Sequence, residues 1–207
     1  MGAGRSRSWA SVFLAEGESA RNWEEVLKDL GRRGVWRVWI FVTDDLPGLE
    51  EAIRKIFPEV DWQLCVLHSL RNALSQARKK DRKALAEDLK YVYRAETEGE
   101  VKEALKRLRE RFETCFPRIV ARWETRAYAL LAFLRHPWPI RRYLYTTNRL
   151  EPMSEEVERR TKMVEVFCGE EALVKLLYLV LSHPNERLEG RRLWGFAEVA
   201  MGSAPVA

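Results

Sequence analysis

Three cysteines, at positions 65, 115 and 168, are too few, too scattered and odd in number for a disulfide framework. They predict a reducing compartment, the cytoplasm. No apolar run approaches the ~20 residues that a bilayer-spanning helix needs, so neither a membrane anchor nor a signal peptide is expected. Charge of one sign is not concentrated either. The 36 Lys and Arg stand against 31 Asp and Glu, and the net +5 suits a phosphate-backbone partner but is equally ordinary in proteins that bind none. What is present is a 207-residue chain, 46% hydrophobic and 32% charged. That length buries one good core, or one core with a helical insertion.

The chain is organised around residues 36–68. Val38, Trp39, Ile40, Phe41 and Val42 form an unbroken apolar run after Gly34, the sign of a strand buried on both faces. Asp44 and Asp45 end it. Pro47 is placed to open a helix over Gly48–Phe57, in which Leu49, Ile53, Ile56 and Phe57 share one face, and Pro58 stops it. A shorter run from Trp62 to Leu67 reads as a second strand that delivers His68 at the mouth of the next helix. Asp44 and His68 are therefore expected at the same end of neighbouring strands, and the C-terminal end of a central strand is where α/β sheets place chemistry.

These residues carry a resemblance. Thr43-Asp44-Asp45-Leu46-Pro47-Gly48-Leu49-Glu50-Glu51-Ala52-Ile53, then Phe57-Pro58, Gln63-Leu64-Cys65, His68 and Arg71-Asn72, resemble the Mutator-type transposases of bacterial insertion sequences. A second motif, Thr146-Thr147-Asn148-Arg149-Leu150-Glu151, is followed by Arg159-Arg160-Thr161-Lys162 and Val166-Phe167. The likeness runs from about Phe13 to about Ala197. It implies an α/β fold with an RNase H-like core and a large all-helical insertion. It also implies DNA cleavage and strand transfer by two aspartates and a glutamate holding two Mg²⁺ (or Mn²⁺) ions. DNA is the implied substrate, and a homo-oligomer or the full-length transposase the implied protein partner.

Carried over residue by residue, Asp44 matches the second aspartate and Glu151 the glutamate, so these two are the expected catalytic and metal-binding residues. Cys65, His68 and Asn148 complete the family's motifs. His68, Arg71, Asn72, Arg159, Arg160 and Lys162 are the expected DNA contacts, with Arg71 and Asn72 opening a helix whose backbone N–H groups suit a phosphate. The first aspartate has no counterpart. No aspartate precedes Asp29, which lies in a helix, and Asp45 points away from Asp44. The sequence is therefore expected to represent an inactive copy truncated at its N-terminal strands. The alternative is a non-catalytic DNA-binding or transposase-interacting regulatory fragment.

In chain order, residues 1–8 are expected to be a disordered lead-in, 9–70 a partial core, 71–140 the helical insertion, 141–200 the C-terminal part of the core and 201–207 a frayed tail. Within 9–70, Trp9 to Leu14 suggests a strand. Ser19 is a plausible cap for a helix over Ala20–Arg33 that closes at Gly34, so strand, helix and the following strand make a right-handed parallel crossover. Downstream, Leu85, Leu89 and Val92 make one stripe, Val101, Leu105, Leu108 and Phe112 a second, and Ile119 to Leu134 a broader third. Thirteen Lys or Arg against eight Asp or Glu between Arg71 and Arg111 leave the outer faces basic but interleaved with acids. His136-Pro137-Trp138-Pro139 is expected to break the helical run, with 141–145 extended. A final helix is expected from Glu170 to Ser182, with Leu173, Leu176, Leu177 and Val180 on the face that would pack back on the sheet.

Each assignment has a plainer rival. An aspartate between a strand and a helix is commonly just an N-cap, and Glu151 alone would read as a first-turn acid favoured by the helix dipole. Pro152 restrains Glu151 from lying inside a continuous helix. Glu151, Glu155 and Glu158 would form an acidic face poor for approaching DNA. Cys65-x-x-His68 hints at zinc, but two ligands do not close a tetrahedral site, and Cys115, His136, Cys168 and His183 show no partner spacing. A structural or DNA-facing role for His68 is preferred. Trp23, Trp39 and Trp123 lie on apolar faces and are expected in the core; Trp138, between prolines, could stack on an extruded base.

Overall fold

Parallel strands β1 (Ile40–Thr43) and β2 (Asp61–Leu64) are joined through helix α2 (Leu49–Ile56), as the alternation of apolar runs predicts. The computed structural model describes residues 19–35 and 38–144, with Glu155 and Arg159 singly. The chain divides into two units, Glu18–Thr146 and Met1–Gly17 with Thr147–Ala207. All the elements described belong to the first, and the expected strand at 9–14 and helix at 170–182 lie outside the described residues. The register runs from Ile40 opposite Asp61 to Thr43 opposite Leu64.

Helix α1 (Ala20–Arg32) has the ends its sequence calls for. The Ser19 hydroxyl accepts from the Asn22 N–H at 3.3 Å, and Gly34, at φ 92°, follows the C-cap. Gly34 N–H donates to Gly31 O and Val35 N–H to Leu30 O, the paired bonds of a Schellman ending. α1 packs on α2 through Leu27, Ala52 and Ile53, and Lys55 reaches Glu24 at 2.7 Å.

Several local expectations are corrected. β1 is half-buried along its length and Trp39 is 39% exposed, because β2 is its one paired neighbour among the described residues. Pro47 precedes α2 instead of opening it. The cap is Gly48, in the left-handed region at φ 73°, where a Cβ would overlap the backbone of Ala20. β2 ends at Leu64, so helix α3 (Val66–Gln76) begins two residues before His68 and places it in the first turn. The segment expected to be extended is helix α8 (Trp138–Leu144). Its proline lies in the first turn, where no intrahelical N–H is needed, while Ile140 and Leu144 bury one face.

The segment that follows β2 is a succession of helices joined by short turns. α4 (Arg82–Arg94) and α5 (Glu98–Phe112) pack through Leu85, Leu89, Val92, Val101 and Leu108, the predicted stripes. Between them Asp88 is 1% exposed, held by Arg107 at 3.0 Å and Arg111 at 2.5 Å. Thr97 caps α5 by accepting from Glu100 N–H, and Glu100 accepts from Glu96 N–H. α6 (Pro117–Thr125), with Pro117 in its first turn, leads into α7 (Ala127–Leu130) and a 3-10 turn (Ala132–Arg135). Trp123 is buried, as expected for a core tryptophan, whereas Trp23 is half-buried and donates its indole N–H to Pro47 O at 3.1 Å.

One polar side chain ties this helical segment to the sheet. Gln63, on β2, is fully buried. Its amide nitrogen donates to Leu64 O and Leu130 O, both at 2.7 Å, and its oxygen accepts from Phe133 N–H at 2.7 Å. Replacing it with Leu takes the partner from one N–H and a donor from two carbonyls. Gln63→Leu should lower unfolding free energy by about 2–4 kcal/mol in denaturant titration; a loss under about 0.5 kcal/mol would contradict the bridging role.

His136 supplies a pH handle on the same junction. Burial pushes its pKa below the ordinary 6.5 against the opposing pull of Asp61, whose Oδ2 lies 2.9 Å from Nε2. The fold therefore favours the neutral ring. That stabilisation is present above the ordinary pKa and is lost as pH falls through the lowered folded value. Between about pH 7 and 5 the wild type should lose more stability than His136→Gln, spanning the ordinary His range; equal losses would contradict this.

Candidate functional site

The parallel ladder continues one step past both strands. Cys65 N–H donates to Thr43 O at 2.7 Å, which brings the residue after β2 alongside the end of β1. Thr43 is fixed further: its hydroxyl donates to Asp44 O and accepts from the Trp62 indole N–H, both at 2.9 Å. Asp44 thus leaves the strand end in a defined direction and meets His68, whose Nδ1 lies 3.4 Å from Asp44 Oδ2. The Asp44 and His68 side chains are 36% and 42% exposed, and Cys65 is 1% exposed behind them. One ligand atom from each of Asp44, Cys65 and His68 lies within 4.8 Å of the others. Asp44 is not the cap of α2, which is Gly48 with no side-chain hydrogen bond, so the plainer reading of this aspartate does not hold.

Asp45 faces other partners. Its carboxylate meets Arg122, in α6, at 2.7 Å and Arg126, the residue that caps it, at 3.3 Å. Arg126 also pairs with Glu50 at 2.7 Å, and its guanidinium lies 5.7 Å from the centre of the Trp62 ring. Glu50 accepts further from Tyr128 at 2.7 Å and pairs with Arg54 at 2.9 Å. Burial acts to raise the pKa of Glu50, but these three donors outweigh it and hold the carboxyl below its ordinary value. A cleft of roughly 630 Å³ lies along this network, and the Arg54, Arg122 and Arg126 that line it all face carboxylates.

The other expected contacts are placed unevenly. Arg71 and Asn72 lie in the middle of α3 and not at its opening, because the helix starts at Val66. Their backbone N–H groups are inside the helix, so only their side chains could meet a phosphate. Arg71 is exposed, and Asn72 Oδ1 accepts from Gln76 Nε2 at 2.6 Å. Arg159 is helical and exposed. Asn148, Glu151, Arg160 and Lys162 lie outside the described residues; of the expected acidic face of Glu151, Glu155 and Glu158, only Glu155 is described, and it is helical and exposed. Trp138 is 74% exposed. Sequence reasoning missed Gln63 as a bridge and Arg122, Arg126 and Tyr128 as partners of the acidic turn. The i,i+4 spacing of Arg122 and Arg126 was a usable signal for a paired cation face.

The pattern described as "Transposase, Mutator family" matches residues 4–189. The chain belongs to the Mutator family of transposases. It is similar to the transposase for insertion sequence element ISRM3 of Rhizobium meliloti, with 32% identity over 183 residues, 88% of this chain and 46% of that protein. The transposase for ISRM5 of the same organism is 33% identical over 87% of this chain and 45% of its own length. That for IS905 of Lactococcus lactis is 30% identical over 90% and 48% respectively. The chain therefore spans about half the length of these relatives. No helix among the described residues is long and apolar enough to cross a membrane.

The Mutator family implies a divalent metal. Mg²⁺ takes oxygen ligands, and Asp44 is one such donor. The two groups gathered beside it among the described residues are an imidazole and a thiol, which fit Mg²⁺ poorly.

Two measurements probe the acidic turn. Arg126→Ala should cost about 1 kcal/mol, since the pairs are partly exposed. By NMR titration it should move the Glu50 pKa toward its ordinary value. A lowered carboxyl pKa gives stability that is present above the unfolded value and lost as pH falls through the folded one, so the variant should also show a shallower acid loss. An unmoved Glu50 would contradict the network. Gly48→Ala should destabilise by more than about 1 kcal/mol through positive φ and the Ala20 overlap; a neutral effect in thermal unfolding would contradict that packing.

Proposed function

We propose that this chain acts in the transposition of a bacterial insertion sequence in the cytoplasm, through DNA cleavage and strand transfer of the DDE class on an RNase H-like core. Asp44 serves as the second aspartate and Glu151 as the glutamate. The observation that carries the reading is Asp44 at the C-terminal end of β1, beside a parallel strand and within the family's motif. In such enzymes Mg²⁺ or Mn²⁺ would stabilise the attacking and leaving oxygens of an in-line displacement. The chain's own part is to aim Asp44 through the Thr43 and Trp62 hydrogen bonds, with His68 alongside it. The exposed side chains of Arg71 and Arg159, with His68, Asn72, Arg160 and Lys162, would track the phosphate backbone. The exposed ring of Trp138 offers a base-stacking surface. A second copy, or a full-length transposase, is the protein partner.

A second reading is favoured by one feature: among the described residues, the groups gathered at Asp44 are a thiol and an imidazole and not carboxylates. On this reading residues 1–207 alone bind DNA without cutting it. The test incubates the purified chain with labelled element-end DNA and Mg²⁺ or Mn²⁺, beside Asp44→Ala, Glu151→Ala and the double variant Arg159→Ala/Arg160→Ala. Both readings expect salt-sensitive binding, weakened in the arginine variant; the first expects metal-dependent cleavage lost in either carboxylate variant, and the second expects none. Cleavage abolished by either carboxylate substitution would establish the chemistry and overturn the non-cutting state. A folded chain with no salt-sensitive binding would overturn both.

A further inference from the structure

We propose that Asp44, Cys65 and His68 form a binding site for a soft or borderline divalent ion of the zinc class. Among the described residues the site offers three protein ligands, which leaves a fourth position for water or a further donor. The inference does not depend on the strand-cutting reading, because it rests on the donor set and its geometry. One ligand atom from each residue falls within 4.8 Å of the others. Around a tetrahedral zinc with bonds of about 2.0–2.3 Å, donor atoms stand about 3.5 Å apart. The Asp44–His68 pair, at 3.4 Å, already has that spacing, so the whole set needs to close by about an ångström. Cys65 and His68 are three residues apart at the opening of α3, which puts both on one side of its first turn. The Cys65–Thr43 ladder bond then presents that side to Asp44.

Donor chemistry selects the ion. Thiolate and imidazole are ligands for zinc and its neighbours, whereas Mg²⁺ requires oxygens. A coordinating thiol gives up its proton to become the thiolate ligand. Access is open on one side only: Asp44 and His68 are partly exposed, and Cys65 forms the buried back wall. With water in the fourth position the coordination is that of an open zinc site, and with a further protein donor that of a closed structural one. Where Asp44 also serves strand cutting, an ion held here competes for its carboxylate, so zinc would inhibit in place of supporting the reaction.

Cobalt reports on such a site without any assay of activity. The reduced full chain is titrated with Co²⁺ and the thiolate-to-cobalt charge-transfer absorption is followed. The expected result is one ion per chain, with intense tetrahedral-type visible bands, displaced by Zn²⁺ and unaffected by a large excess of Mg²⁺. Cys65→Ser should abolish the charge-transfer band, and the double variant Cys115→Ser/Cys168→Ser should leave it intact. Because Cys65 is buried, the exposed-side variants His68→Ala and Asp44→Asn, checked for folding by circular dichroism, provide the independent arm. Each should weaken Co²⁺ binding by more than about tenfold, at the low end of what even outer-shell changes cost. The proposal is overturned if the wild type shows no band, if the band survives Cys65→Ser, or if it disappears in the Cys115/Cys168 variant. It is equally overturned if the His68 and Asp44 variants bind as tightly as the wild type.

Discussion

The constraint on which the described unit depends is the buried amide of Gln63. β2 is four residues long and pairs with one strand among those described, too little to hold its own direction. Gln63 supplies what the ladder lacks, joining β2 to Leu130 and Phe133 across the junction with the helical segment. Because a buried amide costs free energy unless its hydrogen bonds are made, the sheet and the helical segment at 127–135 are obliged to keep one mutual geometry. Leu64 and Cys65 follow directly, so the junction also sets where β2 ends and where α3 starts.

From that end point the site is built by short-range steps. The Cys65–Thr43 bond aligns the two strand ends, Thr43 and Trp62 aim Asp44, and the first turn of α3 brings His68 against it. The adjacent Asp45 is drawn the other way by Arg122 and Arg126. Two neighbouring aspartates therefore have separate duties, one presented beside an imidazole and a thiol, the other anchoring the turn to these arginines. The helical segment that carries Arg122 and Arg126 is thus part of the support of the acidic turn.

Much of this was legible in the sequence, for physical reasons. Apolar runs bounded by Gly, Asp and Pro gave β1, α2 and β2 in order, and stripes at helical spacing gave α4, α5 and α6. The meeting of Asp44 with His68 followed from two parallel strands ending at the same level. What was not legible depends on partners distant in sequence. The half-exposure of β1 reflects what lies beside it, not its composition. The start of α3 at Val66 was masked because Val66 and Leu67 read equally well as strand. The helix at 138–144 was hidden by prolines that interrupt a helix interior but suit its first turn. Cys65 and His68 looked like an incomplete ligand pair because Asp44, over twenty positions earlier, joins them only through the fold.

Native-state hydrogen exchange tests the central claim, that the sheet and the helical segment at 127–135 form one cooperative unit through Gln63. The two amides to compare are Cys65 N–H, bonded to Thr43 O, and Phe133 N–H, bonded to the Gln63 side chain. If the claim holds, both exchange only through the same opening and report the same free energy, close to that of global unfolding. Phe133 exchanging through a much easier opening while Cys65 stays protected would show that the helical segment comes away on its own, and that the acidic turn does not depend on it.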